Sequence, residues 1–204
     1  ARTFGAPDTV VFTSCNMILS CASCAELERV VQWVHAADRF MERYGCPFLR
    51  SVCRATYGRV LVATGDWDRA EREVDAALAS SEGSPLHVLA LAAYAELRLA
   101  QGRVEEAERL LEGLQDLPPT APVLAEAQLA RGEPALASAT LRRLQPSVAD
   151  NRLHSAIVED LLGQSELELG EIDEALERGR QLAELGAGLG CESIRARGER
   201  LWGR

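Results

Sequence analysis

Lysine is absent from this chain of 204 residues, so all 22 basic residues are arginine. They face 31 acidic residues, for a net charge of −9. No G-x4-G-K-[ST] loop is present, and without lysine there is no ammonium to contact a nucleotide phosphate. Direct nucleic-acid contact is not expected either, because phosphate binding needs clustered positive charge. Aromatic residues make up only 5% against 47% hydrophobic residues overall, so the core must be built from Ala, Leu and Val. Small side chains suit helices that approach closely, whereas sheets favour β-branched and aromatic residues. No apolar run reaches the roughly 20 residues of a membrane helix. The opening "ARTFGAPDTVVF" has neither a basic stretch nor a cleavage-like boundary, so no secretory signal and no membrane partner is expected. It also lacks an initiator Met, which reads as a piece of something longer.

Cysteine is present, without a framework. Cys15, Cys21, Cys24, Cys46, Cys53 and Cys191 are unevenly placed in a chain that has no secretory features. Disulfide frameworks belong to small secreted domains with little core. Reduced thiols and a cytoplasmic location are therefore expected.

What is abundant is helical periodicity. Leu27, Val30, Val31, Val34, Ala37, Phe40, Met41 and Tyr44 recur mostly at steps of three and four, one face of an amphipathic helix that Gly45 and Pro47 end. The preceding "DTVVFTSCNMILSCASC" is apolar enough for a strand or a buried helix, and the helical pairs downstream favour helix. Paired helices follow at 48–63 and 66–80, 86–100 and 104–114, 123–130 and 135–144, and 153–169 and 172–185. Pro118, Pro119 and Pro122 interrupt the chain, Pro146 is expected to end a helix, and a lone helix closes the chain near 192–202.

The breaks superpose. "ATGDWDRAEREV", "AQGRVEEAERLL", "ARGEPALASATL" and "ELGEIDEALERG" align on Gly65, Gly102, Gly132 and Gly170, each followed five residues later by Ala70, Ala107, Ala137 or Ala175. "CAELERVVQWV" is a degenerate further copy, with Ala25 for the glycine and Val30 for the alanine. Glycine accepts the left-handed conformation that reverses the chain, and alanine lets two helices cross closely. Four residues on, Val74, Leu111 and Leu141 would fill the space between helices. One hairpin cannot bury its apolar stripe, but a stack can.

These residues resemble the tetratricopeptide repeat, whose pattern is W-x2-L-G-x2-Y, A-x3-F, then P. The second hairpin fits best, with Tyr57-Gly58, Leu61, Gly65, Ala70, Val74 and Ala77. The third keeps Gly102, Ala107, Leu111 and Pro119 but has Ala95 in place of a glycine. The fifth keeps Leu162-Gly163, Gly170 and Ala175, yet carries Gly179 where a large apolar residue belongs. No copy has the signature Trp. The resemblance, covering about 9–186, implies an all-α solenoid of about five hairpins (9–45, 47–82, 85–117, 121–146 and 151–186) and a terminal helix at 190–203, forming one domain over 1–204. A narrower resemblance, carried by "CAELERVVQW…RYGCPFLRSVCRATYGRVLVATGDWDRAERE", is to the repeat regions of large actinobacterial LuxR-type regulators. It implies a regulatory or sensor segment of a bacterial transcriptional regulator, with neighbouring domains of the parent chain among its partners.

In tetratricopeptide arrays the first helices of the hairpins line a concave face that takes up peptides or partner helices. By position this implies Val52, Ala55, Arg59 and Val62, then Leu89, Ala92, Glu96 and Leu99, then Ile157 and Gln164, as a surface for a protein or peptide partner. The same residues also suit packing between neighbouring hairpins. The Lys and Asn cluster that captures carboxylate tails in chaperone-binding members is missing, and Arg59 alone is no clamp. Cys21-x2-Cys24 has metal-ligand spacing, with His35 on the adjoining helix as a further ligand. A single such pair falls short of a structural zinc site, and buried packing is the simpler role. His87 and His154 suit capping or core positions, and a Cys–His nucleophile pair has no supporting motif. Glu105-Glu106 and the acidic run 171–174 sit at helix starts, where carboxylates favour the positive end, and Glu159-Asp160 is expected on the wet side of a helix. The resulting expectation is a non-enzymatic interaction scaffold without a cofactor. A metal or thiol sensor built on the Cys-rich first hairpin is the alternative, and self-association through an open end of the array is a further one.

Overall fold

In a computed structural model, residues 7–24, 26–44 and 47–203 are described. Ala25, Gly45 and Cys46, which entered the reading of the first hairpin, lie outside them. The described residues form eleven helices and no strand. In chain order these are α1 (Pro7–Ser23), α2 (Leu27–Tyr44), α3 (Pro47–Thr64), α4 (Trp67–Ser81), α5 (His87–Ala100), α6 (Val104–Leu110), α7 (Ala121–Ala130), α8 (Pro134–Val148), α9 (Arg152–Leu169), α10 (Ile172–Leu189) and α11 (Glu192–Trp202). Contacts divide the chain into two compact units. One comprises Ala1–Ala22 with Glu26–Gln101, the other Ser23–Ala25 with Gly102–Arg204.

The glycine breaks behave as their chemistry dictates. Gly65, Gly102, Gly132 and Gly170 have φ of +84, +75, +75 and +79°, and a side chain is strained in that region. At Gly170 the αL residue closes α9, its N–H returning to the carbonyls of Glu166 and Leu167. Each alanine five residues on, Ala70, Ala107, Ala137 and Ala175, is fully buried, and Val74, Leu111 and Leu141 fill the next turn. Helix starts are secured locally. Asp66 accepts from the Arg69 N–H, and Asn151 from those of Leu153 and His154.

In the first unit, α3 packs against α2, α4 and α5, and α4 against α5. The core joins Ile18, Val30, Val34, Tyr57, Leu61 and Leu97, with a second cluster of Ala55, Val74, Ala77, Ala90 and Ala93. A Cβ on Gly58 would sit 2.5 Å from the Val74 Cγ2, so this glycine sets how near α3 comes to α4. Ion pairs cross the same joints, Arg54 with Glu73 at 2.8 Å and Arg98 with Glu71 at 2.6 Å. His87 opens α5 with its Nδ1 3.0 Å from the buried Ser81 hydroxyl.

In the second unit, α9 packs against α7, α8, α10 and α11. Leu141, Leu144, Val148, Leu161 and Leu162 form one core, and Leu182, Cys191, Ile194 and Leu201 another. Two expectations need correction. Pro146 does not end its helix, because α8 runs to Val148. Val148 is buried in the α8–α9 core, and that packing offsets the hydrogen bond the proline removes. The terminal helix is not alone. α11 lies backbone to backbone against α10, where a Cβ on Gly179 would meet the Gly198 carbonyl at 2.9 Å and one on Gly198 the Ala183 nitrogen at 2.5 Å. Gly179 departs from the repeat pattern for this reason, since Leu201 and Trp202 of α11 occupy the space of the missing side chain.

A paired glycine test follows. Gly198→Ala is expected to destabilise the protein by about 1–3 kcal/mol, because backbone has to move. Gly188→Ala, with nothing within 4 Å of its Cβ, is expected to stabilise it by about 0.5–1 kcal/mol through helix propensity. Denaturant unfolding of the two variants against the parent measures both.

Candidate functional site

The first-helix residues implied by the resemblance separate into two kinds. In the first unit, Val52, Arg59 and Val62 on α3 and Leu89, Glu96 and Leu99 on α5 are half-buried. Ala55 and Ala92 are buried at 3% and 2% exposure, so they belong to helix packing and present no open surface. Arg59 and Glu96 meet directly, Nε to Oε2 at 2.7 Å and Nη2 to Oε1 at 2.5 Å. In the second unit, Ile157 and Gln164 on α9 are half-buried, and Ile157 packs against the α7–α9 core.

Cys21 is buried on α1, Cys24 is half-buried just after it, and His35 is exposed on α2. Among the described residues no three His, Cys, Asp or Glu side chains gather as metal ligands would. Two pairs of thiols meet: Cys24 with Cys191 in the second unit, and, within the first core, Cys15 on α1 with Cys53 on α3. The hydrogen bond of this second pair lowers the Cys15 pKa and, together with burial, raises that of Cys53. Burial also pushes the Cys21 thiol up, with the Glu26 carboxylate acting in the same sense.

The main polar construction lies in the second unit, on α9. Asp160 and Glu166 are 0% and 1% exposed, and a buried carboxylate is tolerated only when it is paired and hydrogen-bonded. Glu166 is held in fork geometry by Arg178 of α10, at 2.8 Å from Nε and 2.6 Å from Nη2. Arg178 also bonds Glu159, whose other oxygen accepts from the Gln145 amide. Asp160 turns toward α11. Its Oδ2 accepts from Arg197 Nη1 at 2.7 Å, and both its oxygens accept from Arg200 Nη2 at 2.9 Å. The expectation that Glu159-Asp160 faces water is thus wrong for Asp160, while Glu159 stays a quarter exposed. Two arginines on the terminal helix cover Asp160, and a partner some 40 positions away leaves no mark in local periodicity.

Arg197, Arg200, Asp160, Gln164, Leu161, Leu129 and Glu126 together line a cavity of about 470 Å3 over α7, α9 and α11. Of these only Gln164 was implied by position. The signal that could have found the arginines is their spacing of three on α11, which puts both on one face. The geometry equips the cavity for hydrogen bonding and charge recognition. Asp160→Asn is expected to cost about 1–3 kcal/mol, because a buried acceptor of two cations loses its charge. Glu159→Gln, a quarter exposed, is expected to cost about 1 kcal/mol or less. Urea unfolding of both variants measures the contrast.

Comparison with known proteins bears on the repeats. Residues 57–122 match one family model and residues 123–143 another, each described as a tetratricopeptide repeat. No curated protein matches the chain. The matched stretches contain the breaks at Gly65, Gly102 and Gly132 together with the buried alanines that follow them. The chain is an all-α array of helical hairpins, similar over this part of its length to tetratricopeptide repeats.

Proposed function

We propose that this chain is a non-enzymatic interaction scaffold, the regulatory segment of a larger bacterial transcriptional regulator, that holds a protein or peptide segment on its first-helix faces. The observation that carries the scaffold reading is the run of tetratricopeptide matches over 57–143, since repeats of this kind generally mediate protein–protein contacts. Half-buried apolar residues beside paired charges, as at Val52, Val62, Leu89 and Leu99 around Arg59–Glu96, support it. Such a surface buries apolar area while satisfying its polar groups, which is what an extended or helical partner requires. The regulator context rests on the sequence resemblance of the first two hairpins alone. In that reading a bound partner changes how the array packs on neighbouring domains, in the cytoplasm, with no membrane or nucleic-acid contact from this segment. The scaffold reading predicts that gently purified protein, in native mass spectrometry, carries no tightly bound small molecule or metal. A mass excess that denaturation releases would overturn it in favour of a small-ligand or metal sensor.

A thiol sensor is a second reading, favoured by one observation, the hydrogen-bonded Cys15–Cys53 pair. It requires these buried thiols to react ahead of the half-buried Cys24. The scaffold reading expects the opposite order, with Cys24 alkylated first. Peptide mapping after brief iodoacetamide treatment of folded protein decides between the orders.

A further inference from the structure

A single arginine would neutralise the buried Asp160 carboxylate, yet α11 supplies two. Arg197 and Arg200 are both within hydrogen-bonding distance, so the three groups carry one surplus positive charge. Neither guanidinium is sunk into the core, for the side chains are 43% and 45% exposed while that of Asp160 is 1% exposed. Each guanidinium has five N–H donors in a planar fork. Arg197 engages Asp160 through Nη1 and Arg200 through Nη2, and among the described residues neither has a second side-chain partner. The remaining donors belong to two forks held in place by a carboxylate that cannot reach water. Both forks line the cavity of about 470 Å3.

The geometry points to a docking pocket in the second unit for an acidic side chain, Asp or Glu, within a partner's peptide segment, received by Arg197 and Arg200. This inference deepens the scaffold reading and rests on it. Arginine forks fit a carboxylate with two parallel hydrogen bonds, and anchoring by Asp160 removes part of the ordering cost that a free surface arginine would bear. A monoanion matches the one surplus charge. The Glu126 carboxylate on the cavity wall opposes either anion, and a doubly charged phosphate, which exceeds the surplus, the more strongly. Leu129 and Leu161 supply an apolar side against which the methylenes of Glu, or an adjoining apolar residue, can lie. With a net charge of −9 the chain repels acidic partners at long range, so selection falls on a segment whose carboxylate reaches this pocket.

The test is selection of random peptides on the full chain, with peptide C-termini fused to a carrier so that side chains supply the carboxylates. Enriched peptides are expected to share an Asp or Glu. Its replacement by Asn or Gln is expected to weaken binding about tenfold or more, as is Arg197→Gln combined with Arg200→Gln in the protein. Arg197→Lys with Arg200→Lys keeps both charges and loses the forks, and an intermediate loss is expected, so the comparison survives if the glutamine variant fails to fold. Enriched peptides that lack acidic residues, or that bind the folded lysine variant as tightly as the parent, would overturn the pocket while leaving the scaffold reading intact. No enriched peptide at all would count against both.

Discussion

Close approach of paired helices is the constraint on which the other features rest. The core contains few aromatic rings, so burial has to come from bringing backbones together over Ala, Val and Leu. An alanine at the crossings within each unit, Ala70, Ala137 or Ala175, leaves no Cβ branch to hold the helices apart, and all three are fully buried. Between α10 and α11 the approach is nearer still, with Gly179 and Gly198 facing each other. Dispersion is summed over many short contacts in such packing, and an added methyl there has nowhere to go.

That closeness also determines where charge is placed. Once α11 lies against α10 and α9, its arginines stand over Asp160, and a carboxylate that would otherwise be wet becomes interior. Glu166, six residues along α9, is met by Arg178 of α10. Both acids are compensated by cations from a neighbouring helix, so these pairs tie α9 to a defined register with each neighbour. The stabilisation such pairs add is modest, because desolvation consumes much of the attraction. Breaking one partner is the costly event.

Two arginine–carboxylate arrangements have different consequences. Arg59 and Glu96 neutralise each other across α3 and α5, leaving a locally balanced surface. Arg197 and Arg200 share one acid, and the donors left over line a cavity. A site is therefore marked by an excess of donors over buried acceptors more than by the presence of arginine.

Much of the architecture was legible from residues alone. The glycine breaks, the buried alanines five residues on and the turn prolines are local signals, because backbone conformation and steric bulk act within a few residues. They placed ten paired helices to within a few positions, missing chiefly where a tertiary contact outweighed a local rule, as Val148 does over Pro146. The burial of Asp160, the reason for Gly179 and the cavity of Arg197 and Arg200 were not legible. Each depends on a helix 19 to 40 positions further along the chain. Sequence by itself determined that this protein is a series of helical hairpins, since each hairpin is a local object. Only tertiary structure decided which charges are interior and which donors remain open, because burial is a property of the neighbour that arrives and not of the residue that is covered.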